Sequence, residues 1–454
     1  MRLWFGRPRG YHKARTLQPM LSPPAVLSIS FLLLIVLGTL LLKLPDATHV
    51  SITWIQALFT ATSAVTVTGL SVVDTGSQFT LFGQCIILLL IEAGGIGIMT
   101  FAAATLLAMG HRLGIGEQRL IRDCMNYTRV SDIAWLIRRI LVMVVVVQSV
   151  GLLLLMTVWV PALGWSSGFF HSLFYAVSAF NNAGFALSAD SLSAWAGNWP
   201  VVLIITALII IGGLGFTVLA EFRRGMRWKT LSLHSKLMFT GTAGLILLAL
   251  LFFLLAEWRN PGTLGGMAST SDKLAAAWFQ AVTPRTAGFN VVDMSALSLP
   301  TSLLYLLLMF IGAGTNSTGS GIKVTTFMVL LMATRAFLRG RPLPVVYGRQ
   351  ISSALVFKAL AVTFIACGVV FMALMALSIT DARLGFEDLT FEVVSAFGTV
   401  GLSRGITAEL SEPGQCILML LMFVGRVGPL TLSFLLTRRS QQAIGYPEGE
   451  VHIG

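Results

Sequence analysis

Apolar runs alternate along the chain with short polar breaks, and many of the breaks carry glycine. Eight runs stand out, at roughly 24–43, 80–109, 135–160, 199–222, 233–256, 299–338, 353–379 and 413–437. A bilayer core of about 30 Å takes about 20 helical residues, and most of the runs reach that length. The pattern predicts an all-α polytopic membrane protein of eight spans, with both termini on the same side. The first run, Ala25 to Leu42, is too long for the apolar part of a signal peptide and starts after more than twenty residues. It also lacks a clear cleavage site, so it counts as the first span.

Composition agrees with the pattern. Of 454 residues 56% are apolar and 11% charged, with a mean hydropathy of +0.84, which excludes a disordered chain and argues against a soluble one. A net charge of +12 invites a nucleic-acid reading, but the placement of the charge gives it another meaning. On the terminal side of the predicted spans lie 23 of the 31 lysines and arginines. The other side carries Lys43, Arg259, Lys273, Arg285, Arg383 and Arg404, while Lys323 and Arg426 fall inside spans. The positive-inside rule then predicts cytoplasmic termini, a multi-pass protein of the cytoplasmic (inner) membrane, and no nucleic-acid partner. Cys85, Cys124, Cys367 and Cys416 lie far apart and read as buried thiols, and the six scattered histidines suggest no metal site.

Between each odd-numbered run and the next lies a stretch too short to cross a membrane. The four read LFTATSAVTVTGL, LFYAVSAFNNAGF, WFQAVTPRTAGF and FEVVSAFGTVGL. They align on Gly69, Gly184, Gly288 and Gly401, spaced by 115, 104 and 113 residues. Ten positions upstream stands an aromatic residue, Phe59, Phe174, Trp278 or Phe391, which reads as a packing anchor. Six positions upstream stands Ser63, Ser178 or Ser395, with Val282 in the third copy. A second glycine cluster follows 24 to 28 residues later, beginning at Gly94, Gly212, Gly312 and Gly425. The chain therefore reads as four linked copies of helix, re-entrant pore hairpin and helix.

Four such units can surround one axis and form a channel-like pore. A short helix ending inside the membrane aims its negative carbonyl end inward. Glycine after it removes the Cβ and lets backbone oxygens approach an ion. Polar backbone at membrane depth has to be buried in protein or to line water. A dehydrated monovalent cation, above all potassium, fits a ring of carbonyl oxygens.

The four hairpins, with SAVTVTGL, VTPRTAGFN and GRVGPLTL, resemble the Trk/Ktr/HKT superfamily of potassium transporters over about residues 20 to 437. The eight-span length is more similar to the KtrB-type membrane subunits than to the longer Trk-type subunits. The resemblance implies potassium uptake through a selectivity filter built from four segments: Thr66, Val67, Thr68 and Gly69; Asn181, Asn182, Ala183 and Gly184; Arg285, Thr286, Ala287 and Gly288; and Gly398, Thr399, Val400 and Gly401. It implies a single well-formed site and leaves sodium coupling open. All four glycines are present, so the serine that favours sodium in some family members is absent. It further implies a homodimer with one pore per protomer and a cytosolic KtrA-like ring of nucleotide-binding RCK subunits, and no cofactor beyond the transported ion.

The sixth run is interrupted by Gly312, Ala313, Gly314, Thr315, Asn316, Ser317, Thr318, Gly319, Ser320, Gly321, Ile322 and Lys323. A phosphate-binding loop would need lysine where Ser320 stands, so that reading is set aside. The resemblance makes the segment an intramembrane gate loop below the filter, against the plainer reading of a static kink. Arg426, inside the last run, is costly there and so functional by default. It reads as a pore barrier that holds the gate loop, or as half of an ion pair with Glu92. Glu92 either touches the pore or pairs internally. Asp74, Asp190 and Asp293 follow the first three filters, where they can gather cations or simply be solvated. The basic stretches Arg112 to Arg139 and Arg335 to Arg349 suit a docked regulatory ring, lipid headgroups or topology alone.

The expected divisions are a basic N-terminus (1–19), repeat 1 (20–112), repeat 2 with its linker (113–230), repeat 3 with the gate loop (231–340), repeat 4 (341–437) and a C-terminal tail (438–454). An enzyme would need a nucleophile–base pair, a metal cluster or paired carboxylates deep in the spans, and the sequence offers none. Two alternatives are transporters: a sodium/potassium symporter of Trk/HKT type without an RCK partner, and an alternating-access cation carrier. Carriers of the latter kind are built mostly from two inverted repeats.

Overall fold

A computed structural model describes residues 23–97, 133–222, 228–315 and 317–428, and shows a mostly helical chain. Helices α1 (Pro23–Leu42), α2 (Trp54–Thr66), α3 (Thr75–Gln78) and α4 (Leu81–Ile96) come first. Next are α5 (Ile133–Leu163), α6 (Trp165–Asn181), α7 (Trp199–Leu214) and α8 (Phe216–Phe222). The third group is α9 (Leu233–Glu257), α10 (Thr270–Val282), α11 (Leu299–Phe310) and α12 (Val324–Leu338). A small antiparallel hairpin, β1 (Val345–Val346) and β2 (Arg349–Gln350), leads to α13 (Ser353–Thr380), α14 (Phe386–Gly398) and α15 (Glu412–Val427).

Local chemistry starts these helices where the polar breaks end. Thr53 and Gln56 cap α2 reciprocally, each side chain accepting from the other's backbone N–H. The side chains of Thr80, Asn198 and Ser411 accept from the first turns of α4, α7 and α15. Glycines stop them. Gly97, Gly215 and Gly428 follow α4, α7 and α15 with φ of 78°, 93° and 92°, a conformation that glycine adopts without steric cost. These stops shorten what hydropathy alone predicts. Among the described residues three helices are long and apolar enough to cross a membrane: Ile140–Leu163, Leu233–Glu257 and Ser353–Thr380. Five apolar helices are shorter: Ser28–Leu42, Leu81–Ile96, Trp199–Leu214, Leu299–Phe310 and Val324–Leu338. The run 80–109 is helical to Ile96, and 199–222 breaks into α7 and α8 at Gly215. Residues 98–132, including Cys124 and most of the basic stretch after Arg112, lie outside the described residues, as do Asn316 and both chain ends.

Packing closes the chain on itself. Helix α4 packs on α6, α7 on α10, α11 on α14, and α15 returns to α2. The short helices α2, α6, α10 and α14 are thereby drawn to the middle, where Phe59, Phe174 and Phe391 are fully buried. Trp278, at the equivalent place, is half-buried and donates from Nε1 to Thr206 Oγ1 at 3.0 Å. The outside is the reverse. Phe357, Phe364, Phe371 and Ile379 on α13 are all exposed, an apolar face suited to hydrocarbon. Cys367 and Cys416 also face outward, which corrects the reading of all the cysteines as buried: on a membrane-facing helix an apolar residue has no need of the interior.

Candidate functional site

Directly after three of the short helices, and four residues after the end of α10, the backbone takes the same unusual turn. Val67, Asn182, Thr286 and Thr399 have φ of 58°, 60°, 65° and 46°, and two residues later Gly69, Gly184, Gly288 and Gly401 have φ of 91°, 69°, 76° and 90°. Positive φ is uncommon outside glycine and an outlier for β-branched residues, so Val67, Thr286 and Thr399 are held there by their surroundings. In three of the segments the holding group is the serine six positions before the glycine. Ser63, Ser178 and Ser395 each accept, at their carbonyl oxygens, from the N–H of Thr68, Ala183 and Val400 at 2.8 Å. The hydroxyls of Ser63 and Ser395 also accept from the N–H of Gly69 (3.0 Å) and Gly401 (3.1 Å). Ser178 donates instead to the Phe185 carbonyl at 2.8 Å. In the third segment, where Val282 replaces the serine, Thr283 takes over: its carbonyl accepts from Ala287 N–H at 3.1 Å and its hydroxyl donates to the Phe289 carbonyl. The serine repeat is visible in the sequence, but its role as backbone clamp is not.

The four glycines meet. A Cβ on Gly69 would lie 3.0 Å from Gly184 Cα, one on Gly184 would lie 2.8 Å from Gly288 Cα, one on Gly288 would lie 3.3 Å from Gly401 Cα, and one on Gly401 would lie 3.1 Å from Gly69 Cα. The sequence of neighbours runs once around and closes. The same hypothetical methyl groups would strike the carbonyl oxygens of Ala183, Ala287, Val400 and Thr68 in turn, so one main-chain oxygen per segment lies in this ring. Every Cβ would be too close to be accommodated without backbone movement.

Several polar side chains of the flanking residues bond away from the glycines, while the buried Thr399 hydroxyl has no hydrogen-bond partner among the described residues. Asn181 donates to Glu92 Oε2 at 2.6 Å and to the Val177 carbonyl at 3.0 Å, and Gln148 donates to the same Glu92 oxygen at 2.9 Å. Glu92 thus pairs internally with two amides and not with Arg426. The buried Arg285 reaches Thr242 on α9, with Nη2 3.3 Å from its hydroxyl. Asn182 lies 3.2 Å from the Thr286 hydroxyl; oriented so that its amide oxygen accepts there, its nitrogen donates to the Ala179 and Ile209 carbonyls. Thr66 bonds to the Thr62 carbonyl at 2.7 Å and to the Thr68 hydroxyl at 2.8 Å. Gly398 is buried at the end of α14 against the Met309 carbonyl.

On one side of the ring lies a cavity of about 650 Å³, with Gly69, Gly184, Gly288 and Gly401 all in its wall. Asp74, Asp190, Asp293 and Arg404 line it as well. Asp74 also caps α3 through Ser77 N–H at 2.8 Å, and Asp293 accepts from Ser295 N–H at 2.9 Å.

The loop Gly312–Lys323 packs against residues of the second and third segments. A Cβ on Gly319 would strike Thr286 of the third segment and Ala313 of its own loop. Thr318 donates from its hydroxyl to the Phe180 carbonyl, the last but one of α6, at 3.3 Å. Gly314 N–H donates to the Gly213 carbonyl at 2.9 Å. The loop also holds itself: Ile311 and Ile322 form a bridge, Thr315 meets Thr325 at 2.8 Å, Ser317 donates to the Gly314 carbonyl at 2.7 Å, and Lys323 donates to the Gly319 carbonyl at 2.7 Å. Ser320 and Gly321 lie beside Gly312. Arg426 reaches in from α15 and donates to the Thr318 and Gly94 carbonyls, with the Ser320 hydroxyl at 3.3 Å. Its partners are neutral oxygens from two different segments. Among the described residues no group of histidines, cysteines and carboxylates is arranged to hold a metal ion.

A lipid-facing helical shell, a ring of main-chain oxygens and a loop packed beneath it define a membrane transport protein that passes ions. The chain belongs to the TrkH family of cation transport proteins, whose family model matches residues 18–444. It is 48% identical to the Ktr system potassium uptake protein B of Bacillus subtilis, over 95% of this chain and 97% of the relative. The protein of the same name from Vibrio alginolyticus is 41% identical, over 95% of each chain. The potassium/sodium uptake protein NtpJ of Enterococcus hirae is 37% identical, over 96% of this chain and 98% of the relative. In fold the chain is similar to the potassium transporter TrkH from Vibrio parahaemolyticus, with a TM-score of 0.73, 20% identity, and coverage of 95% of this chain and 87% of the other. These are transporters and not enzymes, the class to which the sequence points.

Proposed function

We propose that this protein is the ion-translocating membrane subunit of a Ktr-type potassium uptake system. The observation that carries the reading is the closed ring of Gly69, Gly184, Gly288 and Gly401, with one carbonyl oxygen from each segment in it. Removing four side chains at one place leaves a gap with main-chain oxygens and no fixed charge, the environment a partly dehydrated potassium ion requires. The curated relatives over nearly the whole chain are named for potassium uptake.

In this reading α2, α6, α10 and α14 are pore helices within four repeats of helix, hairpin and helix, and the described helices with their glycine breaks make up eight spans. Thr66 to Gly69, Asn181 to Gly184, Arg285 to Gly288 and Gly398 to Gly401 form the filter. Carbonyl ends of the pore helices face the ion, and membrane potential drives it inward. Both termini are cytoplasmic, in accord with the bias of lysine and arginine. Gly312 to Lys323 is the gate, closed here, and Arg426 is a positive barrier that also ties the gate to α15. The Ktr names of the relatives support assembly with further system components; a homodimer on a ring of nucleotide-binding RCK subunits is the expected form. The name of the Enterococcus relative, which carries both ions, supports sodium coupling as a variant of the same pathway.

Uptake of rubidium into liposomes holding the purified chain tests this, with and without sodium. The intact chain takes up rubidium down a potential gradient. Gly69→Ser and Gly401→Ser each lower rubidium uptake about tenfold or more, because a Cβ at φ near +90° collides with the next segment. Equal uptake by all three proteins contradicts the proposal.

A further inference from the structure

Three of the four segments put an aspartate at the wall of the 650 Å³ cavity; the fourth puts an arginine there. Arg404 follows Gly401 by three residues and shares the cavity wall with all four glycines. A free guanidinium at the entrance of a cation pathway would repel every ion approaching it.

The guanidinium is not free. Its Nε lies 2.6 Å from Asp388 Oδ1 and its Nη1 2.8 Å from Glu387 Oε1. Both carboxylates stand in the first turn of α14, the helix that ends at the fourth filter segment. Nη1 also donates to the Ser302 hydroxyl at 3.0 Å, and Nη2 to the Ser295 carbonyl at 3.4 Å, both in the third segment's part of the chain. The arginine side chain is 11% exposed, whereas those of Glu387 and Asp388 are 39% and 31% exposed. The planar fork therefore turns inward onto its partners, and the carboxylates keep their contact with solvent. With one positive and two negative charges the group carries a net charge of −1, the same sign as Asp74, Asp190 and Asp293.

We infer that Glu387, Asp388 and Arg404 form an electrostatic clamp that sets how readily cations enter the cavity, the arginine's charge being cancelled by its two partners. The inference rests on the transport reading above. It differs from a plain structural brace in one respect: a brace is weakened by any loss, while a charge effect has a sign and is screened by salt. The Debye length shrinks from about 30 Å at 0.01 M to about 3 Å at 1 M.

The test measures KM for rubidium uptake by the full chain in liposomes, at low and high ionic strength set with N-methylglucamine chloride. Uptake by the wild-type chain above empty liposomes reports on the transport reading by itself; without it both readings fall. Given that uptake, the double variant Glu387→Gln, Asp388→Asn strands the arginine and raises KM about threefold or more at low ionic strength. The rise shrinks at high ionic strength. Adding Arg404→Gln to the double variant brings KM back towards the wild-type value. Arg404→Gln alone, with both carboxylates kept, lowers KM at low ionic strength, and it keeps the test decisive where the double variant does not fold. A KM independent of salt in these variants, or no return on adding Arg404→Gln, overturns the clamp and leaves the transport reading standing.

Discussion

In the proposed four-unit reading, units one, two and four treat the glycine of their second helix alike, and unit three does not. A Cβ on Gly94, Gly212 or Gly425 would strike the carbonyl oxygen of Val65, Phe180 or Phe397, each four residues before the filter glycine of its own unit. In these units the second helix lies tight against the short helix and then ends on a glycine of positive φ. In unit three the matching Gly312 meets the carbonyl of Ser320, a residue of the loop that follows it. Its helix stops at Phe310 and does not resume until Val324. Thr318 and Gly319 of that loop lie against Phe180, Gly212 and Thr286. In the proposed reading, this one departure from the common pattern supplies the gate. Neutral oxygens of Phe180, Gly212 and Gly213 hold the loop, together with Arg426 of unit four.

The comparison breaks most clearly if unit three is made more like the others. Deleting residues 314–320 removes the proposed gate and is expected to raise rubidium flux about tenfold or more in the absence of any cytosolic partner, measured in liposomes. Unchanged flux removes the gating role. Arg426→Gln, in the same assay, frees the Thr318 carbonyl from one charge-assisted bond, worth about 1.5–3 kcal/mol, and raises flux by a smaller factor. A wild-type profile excludes Arg426 from the barrier.

The smallest expected effect separates the clamps of the filter. Ser63→Ala and Ser395→Ala each strip one hydrogen bond from a filter glycine N–H and cost about 1 kcal/mol of stability. Ser178→Ala leaves Gly184 N–H untouched, since that hydroxyl serves the Phe185 carbonyl. Ratios of rubidium to sodium uptake therefore fall more for Ser63→Ala and Ser395→Ala than for Ser178→Ala. Equal ratios in all three contradict the division of labour.

Much of this arrangement can be read before any coordinates. Glycine spacing places the four turns, because positive φ and close backbone approach leave few other residues possible. Hydropathy locates the apolar runs but not the breaks in them, since an average over many residues passes through Gly97 or Gly215 unmoved. Side-chain direction is the least legible. Nothing in PRTAG says that Arg285 points back to Thr242, and nothing in IEAGG says that Glu92 bonds to Asn181 and Gln148, partners 89 and 56 residues away. The serines at the sixth position before the glycines show in the alignment, yet their bond partners differ from segment to segment. Arg404 carries no sequence signal beyond being one cation among several, and only the structure shows that it shares the cavity wall with the four glycines.

The central claim is that main-chain oxygens around Gly69, Gly184, Gly288 and Gly401 hold a bare alkali cation. Anomalous diffraction from rubidium-loaded crystals of the full chain tests it most directly. The account predicts a rubidium peak among these four glycines, displaced by excess potassium and missing from Gly69→Ser crystals. A well-ordered filter with no peak there, or a peak that survives the substitution, contradicts it.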